Sequence, residues 1–253
     1  MWMIVGSCVP VKTPIGLGDY NSHMEPIPEH PIVVLISAEA EWRAVCKVLP
    51  GTRRGGSPFG EYFLTRLDTK PYLFFQGGWG KISAAASTQY VIDRWRPKLL
   101  VNLGTCGGFE GRIERGEILL VEKTIVYDLI EQMADPQDVI EHYTTRLDLS
   151  WLSEPFPLAV RRSLLVSGDR DLLAEDVPIL VNRYEAVAGD WESAAIAWTA
   201  SRNHTPIMIL RGVTDLVGST GGEAYGNLGL FEAAAGEILE KLISALPGWK
   251  IIL

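Results

Sequence analysis

Cysteine is scarce in this chain of 253 residues: Cys8, Cys46 and Cys106 are odd in number, scattered, and form no Cys-x-x-Cys pair. That fits a reducing cytoplasm better than a disulfide framework. Histidine is equally thin. Its four residues, at 23, 30, 142 and 204, are dispersed, so no zinc cluster is visible and neither metal nor cofactor is expected. Positive charge is in deficit, with 23 Lys and Arg against 31 Asp and Glu and a net charge of −8. A field of that sign argues against nucleic acid or an anionic membrane as the main partner. A small anion remains admissible, because local backbone amides can overrule the global charge. The start of the chain, residues 1–11, is only mildly apolar, lacks basic residues at its head, and is broken by Gly6 and Pro10. It is too short to span a bilayer and does not read as a signal peptide.

What the chain does have is apolar bulk: hydrophobic residues make up 47%, ample for a large core. Residues 1–30, rich in Pro, Gly, Asn and Asp, predict an extension with little regular structure, followed by one domain over 31–253. From there the pattern turns regular. The run Ile32-Val-Val-Leu-Ile36 predicts a parallel strand buried on both faces, and a helix follows through Val48 to the stop at Pro50-Gly51. Residues 61–67 and 72–75 predict a strand pair, and residues 81–95 a helix after Gly77-Gly-Trp-Gly80. A buried strand at 99–103 is expected to end at Gly104-Thr-Cys-Gly-Gly108, with another strand at 116–124. Residues 128–160 predict loops and a short helix. Further strands are expected at 162–166, 186–189 and 206–213, with Asp215 just beyond the last. Helices are expected at 191–201, begun by Asp190, and at 230–246. Strands and helices alternating in this way imply a mostly parallel sheet covered on both faces.

In open α/β sheets ligands gather at the carboxyl ends of the strands. Five clusters fall there: Glu39 with Glu41, Gly77-Gly-Trp-Gly80, Gly104-Thr-Cys-Gly-Gly108, Ser167-Gly-Asp169, and Thr214-Asp215. Asp190 and Glu192, just before a helix, can join them. Each cluster also has a purely structural explanation. Glu41 could complement a helix dipole, the glycines could serve tight turns, and Asp215 could cap a helix. Glu192 is harder to explain that way, because Trp191-Glu-Ser-Ala-Ala-Ile-Ala197 sets a carboxylate among residues that pack inward. A buried acid needs partners or a purpose.

Several blocks follow one another in order. They are Glu41 after an opening strand, Gly78-Trp-Gly-Lys-Ile-Ser-Ala-Ala-Ala86, Asn102-Leu-Gly-Thr-Cys-Gly-Gly108 and Val166-Ser-Gly-Asp169. Asp190-Trp-Glu-Ser-Ala-Ala-Ile-Ala197 and Arg211-Gly-Val-Thr-Asp215 complete the set. In order and spacing these resemble the nucleoside phosphorylase and nucleosidase superfamily, especially the methylthioadenosine/S-adenosylhomocysteine nucleosidases, over residues 31–246. The resemblance implies a single-domain, three-layer α/β/α fold with a central mixed, mostly parallel twisted sheet. It implies hydrolysis of the N-glycosidic bond of a purine nucleoside. Glu41 would activate a water with help from Arg211, Glu192 would hold the ribose, and Asp215 would protonate the departing base. Asp215 should then be drier, or more hydrogen-bonded in its protonated form, than Glu41. Trp191, Gly77, Gly78, Asp171, Leu172 and Thr214 are the expected substrate contacts. The resemblance also suggests a homodimer whose partner closes the 5′ end of the pocket.

The main alternative is a phosphorylase. Members of that kind commonly open the strand-end motif with an arginine where this chain has Asn102, and carry Gly-Asp-Pro where it has Ser37-Ala-Glu-Ala-Glu41. Acids there suit water better than phosphate, although Arg43 lies close in sequence. Three departures from the adenine-specific pattern bear on the substrate: Asp171 replaces an aromatic residue, Trp191 a methionine, and Gly77 a serine. A non-catalytic nucleoside-binding protein and a cysteine hydrolase using Cys106 are further alternatives. A dinucleotide site at residues 104–108 lacks the glycine spacing that it needs.

Overall fold

The computed structural model describes residues 26–252. Most of the expected 1–30 extension lies outside the described residues; residues 26–30 hold neither helix nor strand. The first half of the chain builds β1 (Ile32–Ile36), α1 (Glu39–Val48), β2 (Gly55–Gly56), β3 (Glu61–Leu67), β4 (Lys70–Gln76), α2 (Gly80–Trp95), β5 (Leu99–Phe109) and β6 (Ile118–Val126). The second half adds α3 (Pro136–Tyr143), β7 (Thr145–Arg146), β8 (Leu152–Ser153), β9 (Arg161–Ser167), α4 (Asp176–Tyr184) and β10 (Ala188–Asp190). It ends with α5 (Ser193–Arg202), β11 (Ile207–Gly218), β12 (Gly221–Gly222), α6 (Leu228–Ala245), a short 3₁₀ turn (Leu246–Gly248) and β13 (Lys250–Ile251).

The sheet is mixed. β1–β4, β1–β5, β5–β11, β6–β9 and β9–β10 run parallel, whereas β3–β4, β6–β11 and β5–β10 run antiparallel. Because β5 pairs with β1, β10 and β11, the strands β5, β11, β6, β9 and β10 close into a ring. Closure removes the exposed edges an open sheet would leave. β1 shows why there are three layers. All five of its residues are buried, and a strand alternates its side chains between faces. Ile32, Val34 and Ile36 join the core under α1 and α6, while Val33 and Leu35 join the one under α2 and α5. A third cluster, around Phe109, Ile125, Val166 and Leu172, is covered by Ile140 of α3 and Leu180 of α4.

The expected three-layer α/β fold is observed, with corrections of detail. β5 does not stop at Leu103 but runs through the glycines to Phe109. Those glycines serve close packing inside a strand rather than a turn: a Cβ on Gly108 would lie 2.7 Å from side-chain carbons of both Ile113 and Val213. β11 likewise continues past Val213 to Gly218, with its pairing register slipping between Val213 and Asp215. Such an irregularity re-aims side chains, a common device beside functional sites. The helix expected from Trp191 begins at Ser193, and α4 was not expected at all. Its segment, Asp-Val-Pro-Ile-Leu-Val-Asn-Arg-Tyr, is short and rich in β-branched residues, which favour strands.

β11 and α6 meet at Gly212, where a Cβ would stand 2.4 Å from Ile238 Cγ2. Overpacking of that kind typically costs about 1–3 kcal/mol. Gly212→Ala should therefore lower the urea midpoint by a corresponding amount without changing the transition's slope.

Candidate active site

Asp190, Asn102 and Glu41 meet at one buried guanidinium. Arg211, on β11, is 2% exposed. Its Nε donates to Asp190 Oδ2 at 2.9 Å and its terminal Nη2 to Asn102 Oδ1 at 2.6 Å. Asn102 turns its amide nitrogen to the Leu35 carbonyl, 3.1 Å away, tying β1 to the arginine on β11 through β5. Asp190 also accepts hydrogen bonds from the Ser167 and Ser193 hydroxyls and from the Ser193 amide. Those bonds fix the end of β9 and the first turn of α5 around the same carboxylate.

Glu41 reaches in from α1. Its Oε1 accepts from the Thr105 amide at 2.7 Å and the Thr105 hydroxyl at 2.8 Å, and its Oε2 accepts from the Ala38 amide at 3.3 Å. Burial pushes its pKa up, with Arg211 and the Thr105 bonds pulling against that rise. A Cβ on Gly104 would lie 2.8 Å from Glu41 Oε1 and 2.9 Å from an Arg211 terminal nitrogen. Glycine is thus what lets the acid and the guanidinium face each other there. Of the two acids paired in the sequence, only Glu41 enters the site. Glu39 accepts from Gln76 at the surface, 2.6 Å away.

Glu192 stands just before α5, with Oε1 accepting from the Gly80 amide at 3.0 Å. Burial, then the neighbouring Asp190, push its pKa up to about 8; Glu41 adds to the rise, while the Gly80 bond and Arg211 oppose it. Asp215 accepts from the Thr214 hydroxyl at 2.7 Å and from the Ala224 amide at 3.4 Å. The Thr214 hydroxyl also lies 3.2 Å from the Cys106 carbonyl. Dryness does not separate the two acids as expected, since Glu41 is 5% exposed and Asp215 6%.

The remaining expected contacts divide. Trp191 is half-buried and stacks on Trp79, ring centroids 5.6 Å apart, over a cavity of about 310 Å³ that Gly80, Lys81, Ile82 and Asp169 also line. Gly77 and Gly78 shape the turn into α2. The space a Gly77 Cβ would take lies 2.9 Å from Ser87 Oγ, so that serine fills it from the helix. The Leu172 side chain is buried against Gly107 and Gly189, and its carbonyl accepts from the Tyr225 hydroxyl at 2.9 Å. Asp171 is exposed. Cys106 is buried, with burial the leading cause that pushes its thiol pKa up, and this argues against a nucleophilic role. Arg43 is held at the surface by Glu232 at 2.7 Å and Glu39 at 3.7 Å. Thr105 and Ser167 lie in the expected strand-end clusters without a role of their own in the sequence. Both are partners of the buried acids and come from elements far apart in sequence.

Among the described residues no group of His, Cys, Asp and Glu is placed to hold a metal ion, and no helix is long and apolar enough to cross a membrane. The fold and the site together define a class: an α/β/α domain with buried acids gathered at strand ends around one arginine. The Phosphorylase superfamily signature matches residues 31–246. The chain belongs to that superfamily.

Among its relatives is the 5′-methylthioadenosine/S-adenosylhomocysteine nucleosidase of Staphylococcus haemolyticus, 26% identical over 204 residues, covering 74% of this chain and 87% of that protein. The nucleosidase of the same name from Maridesulfovibrio salexigens is 26% identical over 195 residues, covering 71% and 84%. Among solved structures, the Helicobacter pylori nucleosidase with butyl-thio-DADMe-Immucillin-A superposes with a TM-score of 0.72 at 15% identity, covering 87% of this chain and 98% of that one. Futalosine hydrolase of the same organism gives 0.72 at 16% identity, with the same coverage. These two likenesses establish the fold.

Glu192 makes the site's charge measurable. Its pKa rises from an ordinary value of 4.5 to about 8 on folding. Below 4.5 the folded and unfolded chains both hold the proton, and between 4.5 and about 8 only the folded one does. Stability therefore falls as pH rises through that window. Glu41, shifted the same way, adds to the fall. Glu192→Gln keeps the acceptor for Gly80 and should flatten the decline, read as urea midpoint against pH.

Proposed function

We propose that the protein hydrolyses the N-glycosidic bond of a purine nucleoside. The observation that carries this reading is the close approach of Glu41 and Arg211 over Gly104, where a Cβ would stand 2.8 Å from the acid and 2.9 Å from the guanidinium. A water lodged there has a base on one side and a guanidinium on the other. Glu41, lifted in pKa by burial, takes the water's proton as its oxygen bonds to the anomeric carbon. The carbon–nitrogen bond breaks, its electron pair passes to the base, and Asp215 gives a ring nitrogen its proton, so the base leaves neutral. Glu192 accepts hydrogen bonds from the sugar hydroxyls and, with Glu41, faces the positive charge that develops on the sugar. Trp191 offers the sugar an apolar face, Gly77 and Gly78 shape that wall, and Thr214 positions the Asp215 carboxyl. Leu172 meets the edge of the base through its carbonyl, and Asp171 lies at the rim beside it.

Water is favoured over phosphate because the nearby cations are already engaged. Arg211 is held by Asp190 and Asn102, Arg43 by Glu232 and Glu39, and Lys81 by Asp128 and Asp169. The relatives named as methylthioadenosine and S-adenosylhomocysteine nucleosidases support an adenine nucleoside with a 5′ thioether, and futalosine hydrolase supports a second nucleoside type on the same frame. We place the enzyme in the cytoplasm, with its two described cysteines free.

A panel of purine nucleosides, assayed with and without phosphate, should release free sugar in both conditions; a strict phosphate requirement would overturn hydrolysis. Glu41→Gln and Asp215→Asn should each lower kcat by about 10²–10⁴-fold while leaving the fold intact, the range typical for loss of a general base or acid. The same reading includes a homodimer. Trp79 is 70% exposed and Ile82 85% exposed at the mouth of the cavity, an apolar pair suited to a second copy. Sedimentation velocity should give a dimer, and Ile82→Glu should shift it toward monomer.

A further inference from the structure

The segment between β12 and α6 reaches back over the base end of the site. Its backbone is pinned at both ends. The Glu223 amide donates to the Leu216 carbonyl at 3.1 Å, and the Leu216 amide donates to Glu223 Oε2 at 2.9 Å. Asn227 then accepts from the Leu230 amide at 3.1 Å and starts α6. Gly221 and Gly226, with φ of 99° and 76°, adopt backbone that other residues rarely take. Between these anchors lie Ala224 and Tyr225, whose donors point at the groups assigned above to the base. The Ala224 amide donates to Asp215 Oδ2 at 3.4 Å, and the Tyr225 hydroxyl donates to the Leu172 carbonyl at 2.9 Å. The Tyr225 ring lies against Gly222, where a Cβ would stand 2.5 Å from it.

Two adjacent residues thus present an N–H and an O–H to an acid and a carbonyl that a purine edge would otherwise fill. We propose that Tyr225 occupies the base subsite, its hydroxyl standing in for an N–H donor of the base, and that it swings out when a nucleoside enters. The proposal rests on the assignment of Asp215 and Leu172 to the base. Tyr225 is 44% exposed, so its ring can rotate toward solvent about its own side-chain bonds while the backbone anchors stay in place. A base that brings an N–H to Leu172 replaces the bond it breaks. One that brings a carbonyl there sets two acceptors face to face and loses it. Holding the subsite shut lowers the apparent affinity by the fraction of molecules that are open.

The test is the binding of free adenine, by calorimetry, to the wild-type protein, Tyr225→Phe and Tyr225→Ala, alongside KM and kcat on whichever nucleoside the wild type cleaves. Circular dichroism and the urea midpoint confirm that each variant is folded. Removing the hydroxyl should tighten adenine binding and lower KM by about 2- to 10-fold, the worth of one hydrogen bond, with kcat little changed. Tyr225→Ala should bind adenine at least as tightly as the wild type. Weaker binding by either variant would make Tyr225 a wall that holds the base and overturn the proposal, as would unchanged affinity or no adenine binding by any of the three. Tighter adenine binding by Tyr225→Phe in a protein that cleaves no nucleoside would sustain the occupied subsite and refute the hydrolase reading instead.

Discussion

One guanidinium among three buried carboxylates is the constraint on which the site depends. Arg211 is bonded to Asp190 and faces Glu41 across Gly104, while Glu192 lies close enough to feel Asp190, Glu41 and Arg211. An uncompensated buried charge is expensive, so each of these groups needs its partners in place. The groups come from α1, β1, β5, β9, β10, α5 and β11, and closure of the ring brings β5, β9, β10 and β11 together. Asn102 shows how economical the arrangement is. Its two amide ends join β1 to β11 across β5 and leave no buried polar group unanswered there.

Burial is the leading cause that raises the pKa values of Glu41 and Glu192, and at Glu192 the neighbouring Asp190 and Glu41 add to the rise. Buried acids that hold their protons ionise more readily once a cation stands beside them. In the proposed reaction the cation is the sugar itself as the base departs, so the strain of crowding acids together is relieved where the barrier is highest. The same crowding discourages phosphate, which would bring further negative charge beside Glu41 and Glu192. The Tyr225 contact fits this picture from the other end, because its hydroxyl bonds the Leu172 carbonyl at the proposed base subsite.

Much of this arrangement was legible in the residues. Ile32-Val-Val-Leu-Ile36 announced a strand buried on both faces, and it supplies both cores. Glu192 stood out as an acid among inward-packing residues, and it is buried. Other features misled for identifiable reasons. Glycine runs at 104–108 read as a turn because glycine is the usual residue of positive φ, yet here it thins a strand so that neighbouring side chains can close over it. Glu39 and Glu41 looked alike in the sequence, but two residues on a helix point in nearly opposite directions, so one meets solvent and the other the site. Helix α4 escaped notice because its β-branched stretch carries no helical preference of its own and is held by packing against the third core.

The sequence by itself determined the alternation of strands and helices, the depth of the core and the identities of the acids, since these follow from local periodicity and residue chemistry. Only the tertiary structure decided which acids share a counterion, that the second half of the sheet closes on itself, and that Tyr225 reaches Leu172. Those depend on contacts between residues that are far apart in the chain, Glu41 and Thr105 or Asn102 and Arg211, whose meeting is set by strand pairing and not by any neighbour in sequence.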